Sequence, residues 1–500
     1  MNYQDATIQE VDNALKEAQL AFLSYKNISG KMKGEFLRGI ADEIEALGQE
    51  LVTTAVQETS LPEARILNER GRTTGHCRMF ASLVEDGSWV EARVDTAIPD
   101  RTPAPKPDIR KMLVPIGPVI VFGAANFPLA YSTAGGDTVS ALAAGCPVIV
   151  KAHPAHAKTS HLIAGAIQKA VESSRMPKGV FQHLHGTGFE VGQALVKHPL
   201  TKAVGFTGSL AGGKALFDTA NQRPEPIPVF AEMSSINPVI LLPETLHLEA
   251  EKSGEKLAGS ITLGVGQFCT NPGLIIGIDN AALSRFIKAL SDGIKNTIPG
   301  TMLHQGIADN YSKRFEKTLA QKGIVIEGES TSATGTKQGK PLVASVTASE
   351  FIKNPLLSEE VFGPFSLVVK CKDLSELHSV VNHLHGQLTA SLFGNEEELS
   401  KHQNIINVLL EKAGRLIVNG VPTGVEVCPA MQHGGPFPST TDSRFTSVGS
   451  DAIKRFVRPV AFQSFPNALL PEELKDGNPL GIWRLKNNEW NKEVGKGKLQ

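Results

Sequence analysis

Hydrophobic positions along this 500-residue chain follow two different periods. Near the start, Thr7 and Glu10 form a capping-box signature, and the apolar residues of 11–22 fall on one helical face. A second amphipathic helix is predicted from Phe36 to Leu51. Further along, short apolar runs alternate with helical segments, and this alternation predicts a parallel β-sheet covered by helices.

The apolar runs fall into two sets, and each set predicts one sheet. The first set lies at 119–123, 147–151, 180–185, 202–207 and 227–231, and the second at 274–279, 365–371, 388–393 and 415–419. Before them, residues 97–107 hold four prolines and interrupt helix and sheet alike. The polar tail beyond about 463 is expected to be either an arm or loosely ordered. The fold class is therefore α/β, with two α/β domains in series.

Composition and charge exclude several classes of protein. The chain is 41% hydrophobic and 20% charged, which is typical of a globular protein. Fifty basic residues against 51 acidic ones give no electrostatic case for binding nucleic acid or a membrane surface. The five cysteines form no C-x-x-C pair, so reduced thiols are expected. With no signal-peptide pattern and no uninterrupted apolar span, we expect a cytoplasmic enzyme.

The segment LGVGQFCTNPG, residues 263–273, surrounds Cys269 with glycines and small polar residues. Buried cysteines usually sit among aliphatic side chains. This context is typical of an accessible nucleophile, although a packing role stays open from the segment alone. The other four cysteines are expected to be core or surface residues.

Two further segments favour a nucleotide site. GFTGSLAGG, residues 205–213, follows a predicted strand and opens a helix, where glycines and helical N–H groups can bind a pyrophosphate. Lys151 ends another strand, where a lysine could reach a ribose or phosphate. An ordinary structural turn and a solvated strand end are the alternatives.

Three more positions complete a possible catalytic set. Asn126 follows a strand in FGAANFP, Glu232 ends a strand in PVFAEMSSINP, and Glu360 with Phe362 lies in LLSEEVFGPF. Cysteine, carboxylate and amide suit a nucleophile, a general base and an oxyanion donor. Together with a dinucleotide site, they suit the oxidation of a carbonyl through a thioester. Singly, each could be a cap, a salt-bridge partner or a core residue.

Over nearly its full length, the chain resembles the NAD(P)-dependent aldehyde dehydrogenase superfamily. The resemblance rests on ANFP at 125–128, Lys151, GFTGS at 205–209, Glu232, GQFC at 266–269 and EEVFGP at 359–364. It implies that Cys269 is the nucleophile and Glu232 the base, with Asn126 and the Cys269 N–H as oxyanion hole. It also implies a group of cofactor-binding residues, namely Lys151, Gly208, Ser209, Gly213, Glu360 and Phe362.

The resemblance further implies an aldehyde dehydrogenase fold, with a Rossmann-like cofactor domain, an α/β catalytic domain and a small β oligomerisation arm. The expected limits are 1–90 and 117–232 for the cofactor domain, 233–445 for the catalytic domain, and 91–116 and 446–500 for the arm. In the family such arms extend a partner's sheet, so a homodimer or homotetramer is expected.

Departures from the family pattern bear on the cofactor and substrate. Ala125 replaces a tryptophan, Met-Ser-Ser follows Glu232, and a Pro-Trp-Gly-Gly stretch gives way to 418–442. These departures resemble a branch of 2-oxoglutarate semialdehyde (2,5-dioxopentanoate) dehydrogenases, with a fatty-aldehyde dehydrogenase as a close relative. Pro154 stands where many NAD-preferring relatives carry a glutamate. NADP is therefore the expected cofactor, with NAD possible.

The predicted substrate site contains Arg72, Phe127, Tyr131 and His433. Arg72 could bind the far carboxylate of 2,5-dioxopentanoate, although an ordinary surface salt bridge is the alternative. His433 lies in the 418–442 segment, and its reach into the site stays open. The pair Cys269 and His433 would also suit a hydrolase or acyltransferase that uses no nicotinamide. The repeated HLHG at 183–186 and 383–386 lacks a metal-binding pattern, so no metal is expected.

Overall fold

The computed structural model describes residues 3–494, and it confirms the α/β class. Its helices are α1 (Ile8–Tyr25), α2 (Gly30–Ala46), α3 (Gly48–Thr59), α4 (Glu63–Asp86), α5 (Gly136–Ala144), α6 (Ala157–Ser173), α7 (Glu190–Lys197), α8 (Leu210–Asn221), α9 (Pro243–Thr262), α10 (Ala281–Lys295), α11 (Gln305–Leu319), α12 (Ala348–Lys353), α13 (Leu374–His383), α14 (Glu396–Lys401) and α15 (Gln403–Lys412).

The strands follow the same chain order. They are β1 (Arg93–Asp95), β2 (Ile109–Pro115), β3 (Val119–Phe122), β4 (Val148–Lys151), β5 (Phe181–Leu184), β6 (Ala203–Thr207), β7 (Val229–Glu232), β8 (Val239–Leu241), β9 (Leu274–Ile278), β10 (Gly300–Thr301), β11 (Val325–Glu329), β12 (Gln338–Gly339), β13 (Leu342–Thr347), β14 (Phe365–Cys371), β15 (Gln387–Phe393), β16 (Ala413–Val418), β17 (Val457–Gln463), β18 (Arg484–Lys486) and β19 (Glu489–Asn491).

The first sheet is parallel throughout, with the strand order β5-β4-β3-β6-β7. Successive residues of β3 pack on opposite faces of the sheet. Ile120 packs with apolar residues of α1, α7 and α8, whereas Val119 and Val121 pack with apolar residues of α2, α4, α5 and α6. Because both faces are covered, the strands read as continuous apolar runs. The chain leaves β3 towards β4 on one side and later adds β6 on the other. This switch in direction opens a crevice at the carboxyl ends of the strands.

The second sheet has the order β11-β13-β14-β9-β8-β15-β16 and is parallel except for the edge strand β11. The loop after β16 returns to the first sheet, where Thr440 pairs with Glu232 and Met233 N–H donates to the Ser439 carbonyl at 2.8 Å. This crossing brings the 418–442 segment to the end of β7.

A third sheet, of order β17-β2-β1-β18-β19, contains the segments expected to form an arm. The proline-rich residues 97–107 connect β1 to β2, which pair antiparallel. Residues 464–494 of the tail contribute β18 and β19 instead of being loosely ordered, and residues 495–500 lie outside the described residues. The domain limits given above are compatible with these three sheets and stay a prediction.

The predicted second helix is wrong in one respect, because it does not continue to Leu51. It ends at Ala46, and α3 starts at Gly48, whose φ of 54° breaks the helical path. The apolar face continues across the break, which hides it from a periodicity argument. Within residues 3–494, no helix combines the length and apolar character that crossing a bilayer requires.

Candidate active site

Cys269 follows a distorted turn, Leu263–Gly266, at the end of α9. Gly264, Val265 and Gly266 have φ values of 54°, 60° and 64°. A Cβ on Gly266 would lie 2.2 Å from the backbone carbon of Gly363, so only glycine allows this close approach. The glycines therefore dock the cysteine segment against the loop that carries Glu360.

The Cys269 thiol lies in a catalytic cluster with Glu232, His433 and Ser447. His433 Nε2 is 3.4 Å from Cys269 Sγ and 3.1 Å from Glu232 Oε1. The Ser447 hydroxyl donates to Glu232 Oε2 at 2.8 Å. The structure thus brings three of the predicted residues together. Ser447 was missed, since its loop carries no recognisable motif.

The protonation of the catalytic cluster follows from burial and from these contacts. Burial raises the pKa of the Cys269 thiol well above its usual range, and the Glu232 carboxylate acts in the same direction. Burial also tends to raise the pKa of Glu232, but the imidazole of His433 and the Ser447 hydroxyl outweigh it and leave that pKa lowered. The cluster therefore rests as a neutral thiol beside an ionised carboxylate. His433 Nδ1 has no hydrogen-bond partner within residues 3–494, and Nε2 is the ring nitrogen that contacts both Cys269 and Glu232.

Asn126 reaches the cysteine segment from the end of β3. Its side-chain amide donates to the Gln267 carbonyl at 3.2 Å, two residues before Cys269. An amide nitrogen carries two hydrogens, so one remains for an oxyanion formed at the cysteine. Asn126 thus contacts the cysteine segment, and its role as an oxyanion donor stays a prediction.

A second asparagine, Asn237, fixes the backbone on the other side of the cysteine. Its side-chain amide donates to the carbonyls of Cys269 and Asn271, both at 2.9 Å. Asn237 is fully buried and has a φ of 45°, which asparagine tolerates better than most residues. The sequence analysis missed it. Its only signal was an Asn-Pro pair shortly after Glu232.

A cavity of about 570 Å³, the substrate cavity, is lined by α4, by Phe127 and Phe268, and by residues 425–427. Arg72 lines it, donates to the Val425 carbonyl and has its Nη2 3.4 Å from the Tyr131 hydroxyl. The Tyr131 ring centroid is 6.3 Å from that of His433. Of the four predicted substrate residues, Arg72 and Phe127 line this cavity, and Tyr131 contacts both Arg72 and the catalytic residue His433.

Arg70 and Arg78 lie on the same helix as Arg72, but of these three arginines only Arg72 lines the substrate cavity. Arg78 forms surface ion pairs with Asp42 at 2.9 Å and Glu45 at 2.8 Å. Arg70 donates to the Gly48 carbonyl at 3.2 Å. The surface salt bridge considered for Arg72 is thus found at Arg78, while Nε of Arg72 is buried with no partner within the described part of the chain.

Arg65 and Glu69 share the cavity-lining face of α4 with Arg72, and both were missed. The Arg65 guanidinium lies 4.9 Å from the Phe127 ring centroid and 4.5 Å from that of Phe268. Its Nη2 donates to the Asn126 carbonyl at 2.8 Å. Glu69 accepts backbone hydrogen bonds from residues 129 and 130, at 2.8 and 3.0 Å. The sequence signal that could have revealed them is their spacing, since residues 65, 69 and 72 are four and three positions apart and so share one helical face.

The carboxyl ends of β3, β4 and β6, with the N-terminus of α8, form what we call the cofactor edge. Ser209 caps α8 and accepts a hydrogen bond from Gly212 N–H at 3.2 Å. A Cβ on Gly213 would lie 2.6 Å from the Met233 side chain, so this glycine allows α8 to pack closely on β7. A Cβ on Gly208 would likewise meet the Phe206 ring at 2.6 Å.

Lys151 ends β4 at the cofactor edge and is half-buried. It forms no ion pair within residues 3–494. Burial lowers its pKa, and the nearby Asp5 opposes this effect. A lysine without a carboxylate partner, beside a glycine turn and a helix N-terminus, fits the phosphate and ribose groups of a dinucleotide.

Glu360 and Phe362 line a small cavity next to Asn271 and Gly363, beside the cysteine segment. Burial raises the pKa of Glu360 to about 7, although a hydrogen bond from Ser234 opposes the shift. Asn271 donates to the Gly363 carbonyl at 3.1 Å, which holds this loop against the cysteine segment. The two predicted cofactor residues thus lie in a loop beside the cysteine segment.

The fold and site define an α/β enzyme in which Cys269 lies where the first sheet meets the second sheet. The chain belongs to the aldehyde dehydrogenase family, whose sequence profile matches residues 1–459. It is therefore an oxidoreductase of a family that uses NAD(P).

Two curated relatives cover almost the whole chain. It is 48% identical to an alpha-ketoglutaric semialdehyde dehydrogenase of Acinetobacter baylyi, over 97% of this chain and 92% of the relative. It is 50% identical to alpha-ketoglutaric semialdehyde dehydrogenase 2 of Azospirillum brasilense, over 96% and 91%.

One solved structure illustrates the likeness in fold. It is the glyceraldehyde-3-phosphate dehydrogenase of Methanocaldococcus jannaschii in complex with NADP, with a TM-score of 0.77 and 20% identity. The match covers 92% of this chain and 95% of that one.

Proposed function

We propose that this enzyme oxidises 2,5-dioxopentanoate, which is α-ketoglutaric semialdehyde, to 2-oxoglutarate. The observation that carries this proposal is the position of Arg72, a cation that lines a cavity together with Phe268, the neighbour of Cys269, and that contacts Tyr131. A guanidinium suits the terminal carboxylate of this substrate, because Arg and carboxylate can form two parallel hydrogen bonds. The names of the two curated relatives support the same substrate.

The reaction begins with the thiol of Cys269. Its proton passes to Glu232, and His433 Nε2 holds both groups in place. The thiolate sulfur attacks the aldehyde carbon, and negative charge moves to the oxygen. The Asn126 amide and the Cys269 N–H stabilise this oxyanion, and one such donor typically contributes ~3–4 kcal/mol.

The second half of the reaction removes the acyl group from the cysteine. When bound, NAD(P)⁺ accepts the hydride that leaves the thiohemiacetal carbon. Glu232, once it has released the thiol proton to solvent, deprotonates a water molecule that attacks the thioester. Ser447 and His433 hold the two carboxylate oxygens, so the base keeps its orientation in both halves.

Phe127 and Phe268 line the substrate cavity, and Tyr131 packs against Phe127. The ring centroids of Phe127 and Tyr131 are 5.2 Å apart. Such aromatic side chains exclude water. Among the cations that line the cavity, Arg72 is the one we assign to orienting a short dicarbonyl acid, because the Arg65 guanidinium lies over the Phe127 and Phe268 rings.

For the cofactor, we propose NADP in preference to NAD. Pro154, three residues after Lys151, stands where many NAD-preferring relatives carry a glutamate. No carboxylate at that position would repel a 2′-phosphate, and the charge of Lys151 suits one. Gly208, Ser209 and Gly213 would hold the pyrophosphate at the N-terminus of α8. Glu360 would accept hydrogen bonds from the nicotinamide ribose, and Phe362 would contact the ring.

The third sheet supports self-association. Its outer strands, β17 and β19, are edge strands, and Trp490 on β19 is 65% exposed. Exposed edges of this kind pair readily with another sheet. We propose a homodimer, which could further pair into a homotetramer, and light scattering at micromolar concentration tests it. A monomer would contradict this proposal.

The contact between Cys269 and His433 would also suit a cysteine hydrolase or acyltransferase that needs no nicotinamide. Membership of the aldehyde dehydrogenase family and the cofactor edge favour oxidation instead. Absorbance at 340 nm, with an aldehyde and NADP or NAD, separates the two chemistries. Thioester or ester hydrolysis without any NAD(P)H formation would establish the hydrolase.

The decisive test compares kcat/KM for 2,5-dioxopentanoate and hexanal, each with NADP and with NAD. We expect 2,5-dioxopentanoate to be preferred over the neutral aldehyde, and NADP over NAD. A preference for hexanal would instead assign the enzyme to medium- and long-chain fatty aldehydes. A strong preference for NAD would overturn the cofactor proposal alone.

A further inference from the structure

Three histidines face one another at the outer edge of the first sheet, away from the catalytic cluster. His183 lies on β5 and His185 directly follows that strand, so the two side chains share one side of it. His161 joins them from the first turns of α6. One ring nitrogen from each lies within 4.8 Å of those of the other two. We propose that these imidazoles bind one divalent transition-metal ion of the Zn²⁺ type.

The donor set decides the class of ion. Imidazole suits zinc, copper and nickel, whereas magnesium and calcium prefer oxygen ligands. Zn–N bonds of about 2.0–2.1 Å would place tetrahedral ligand nitrogens about 3.3 Å apart, so the ring nitrogens must approach one another by up to about 1.5 Å. His161 is exposed and its side chain can make that movement. Three protein ligands leave a fourth position for water.

Neighbouring groups already orient two of the rings. The Ser160 hydroxyl is 2.7 Å from His183 Nε2, and Thr133 extends this contact with a further hydrogen bond of 2.6 Å. With Nε2 engaged by Ser160, Nδ1 is the nitrogen of His183 that can bind the metal. Metal-binding histidines usually form a hydrogen bond through the ring nitrogen that does not bind the metal. His185 Nε2 is buried and has no hydrogen-bond partner within residues 3–494.

The expectation of no metal rested on HLHG alone and did not include His161, which α6 brings to the two histidines of β5.

Zinc titration by calorimetry tests the proposal on the full chain. The protein carries Cys269→Ala, because Cys269, Glu232 and His433 form a second group of metal-binding atoms. We expect one Zn²⁺ site, which MgCl₂ does not occupy. His161→Ala and His185→Ala should each lower its affinity by at least about tenfold, and Ser160→Ala should lower it by up to about tenfold.

The matched control is His247→Ala, which removes an exposed histidine on α9. It should leave Zn²⁺ affinity unchanged. Thermal unfolding provides a second readout, since a bound ion raises Tm by mass action. Zn²⁺ should raise the Tm of the parent protein and of His247→Ala, but not that of His161→Ala. Unchanged affinity in His161→Ala, or an equal loss in His247→Ala, would overturn the proposal.

Discussion

The cofactor edge and the substrate cavity are built in different ways. At the cofactor edge, short stretches of chain bring their own backbone to the surface, as GFTGS does with Ser209 capping α8. The substrate cavity is assembled from side chains that are distant in sequence. Arg72 on α4, Tyr131 after β3 and Val425 after β16 meet there. Backbone recognition needs a local motif, whereas side-chain recognition needs the whole fold.

The catalytic cluster combines both kinds of construction. Cys269 stands in a glycine-rich turn that is visible in the sequence, while its partner His433 comes from a loop 164 residues further on. The fold joins them because that loop pairs with the end of β7, through Thr440 and Glu232. Changes in the catalytic cluster should therefore have the largest effects on activity.

The first prediction separates the nucleophile from the base. Cys269→Ala should lower aldehyde oxidation by at least about 10⁴-fold, because no other group can form the thioester. Glu232→Gln should form one equivalent of NAD(P)H more slowly, because glutamine cannot take the thiol proton, and should then stall as the thioester, because water is no longer activated. Rapid-mixing absorbance at 340 nm measures both. Near-normal turnover of Cys269→Ala would show that the nucleophile has been misassigned.

The second prediction concerns the substrate cavity. Arg72→Ala should raise KM for 2,5-dioxopentanoate by roughly ten- to a hundredfold, which corresponds to the ~1.5–3 kcal/mol of a hydrogen bond to a charged group. Activity on hexanal should hardly change. Steady-state kinetics on both aldehydes measure the difference.

Arg70→Ala is the matched control for Arg72, because Arg70 lies on the same helix, donates to a carbonyl in the adjoining α3 and does not line the substrate cavity. It should leave KM for both aldehydes unchanged. Equal losses on the two aldehydes in Arg72→Ala would mean that Arg72 is structural, through its contact with Val425.

The sequence predicted the nine strands of 119–123 to 415–419 well because buried parallel strands are continuous apolar runs. It missed β8 and β13, although both are interior strands of the second sheet. β8 is only three residues long, Val239–Leu241, and follows Asn-Pro. Short runs of this kind are ambiguous without knowledge of their neighbours.

The active-site residues also divide into those that the sequence predicts and those that it does not. Cys269, Glu232 and Asn126 are adjacent to strands or turns with recognisable motifs. Ser447, Asn237 and Arg65 are not, and their roles depend on contacts that only the tertiary structure creates. Ser447, for example, meets Glu232 across 215 residues of chain. No local pattern can encode such a contact.

The third prediction returns to the cofactor edge and its link to the cysteine. Burial raises the pKa of Glu360 to about 7, so in the free enzyme this carboxyl is largely neutral below that pH and ionised above it. Only the ionised form accepts hydrogen bonds from both ribose hydroxyls. KM for NADP should therefore fall by up to about tenfold between pH 6 and pH 8. KM measured across this range tests the prediction.

Glu360→Gln separates this effect from other titrations. Glutamine keeps the size of the side chain and has no charge to gain, so KM for NADP should become independent of pH over the same range. KM for the aldehyde is the internal reference, since Glu360 does not line the substrate cavity. A pH-dependent KM that persists in Glu360→Gln would assign the titration to another group.

The smallest expected effect concerns backbone alone, at the break that the sequence pattern did not reveal. Gly48 has a φ of 54° and no atom within 4 Å of a Cβ placed on it, so Gly48→Ala creates strain without a clash. We expect a loss of about 1 kcal/mol in the free energy of unfolding. Gly165 lies inside α6 with equally open surroundings but without a positive φ. Gly165→Ala should therefore stabilise the protein by about 0.5–1 kcal/mol, because alanine is the better helix former. Denaturant unfolding of the two variants should shift in opposite directions with activity unchanged, whereas shifts of the same sign would show that α2 and α3 are not separated by the conformation of Gly48.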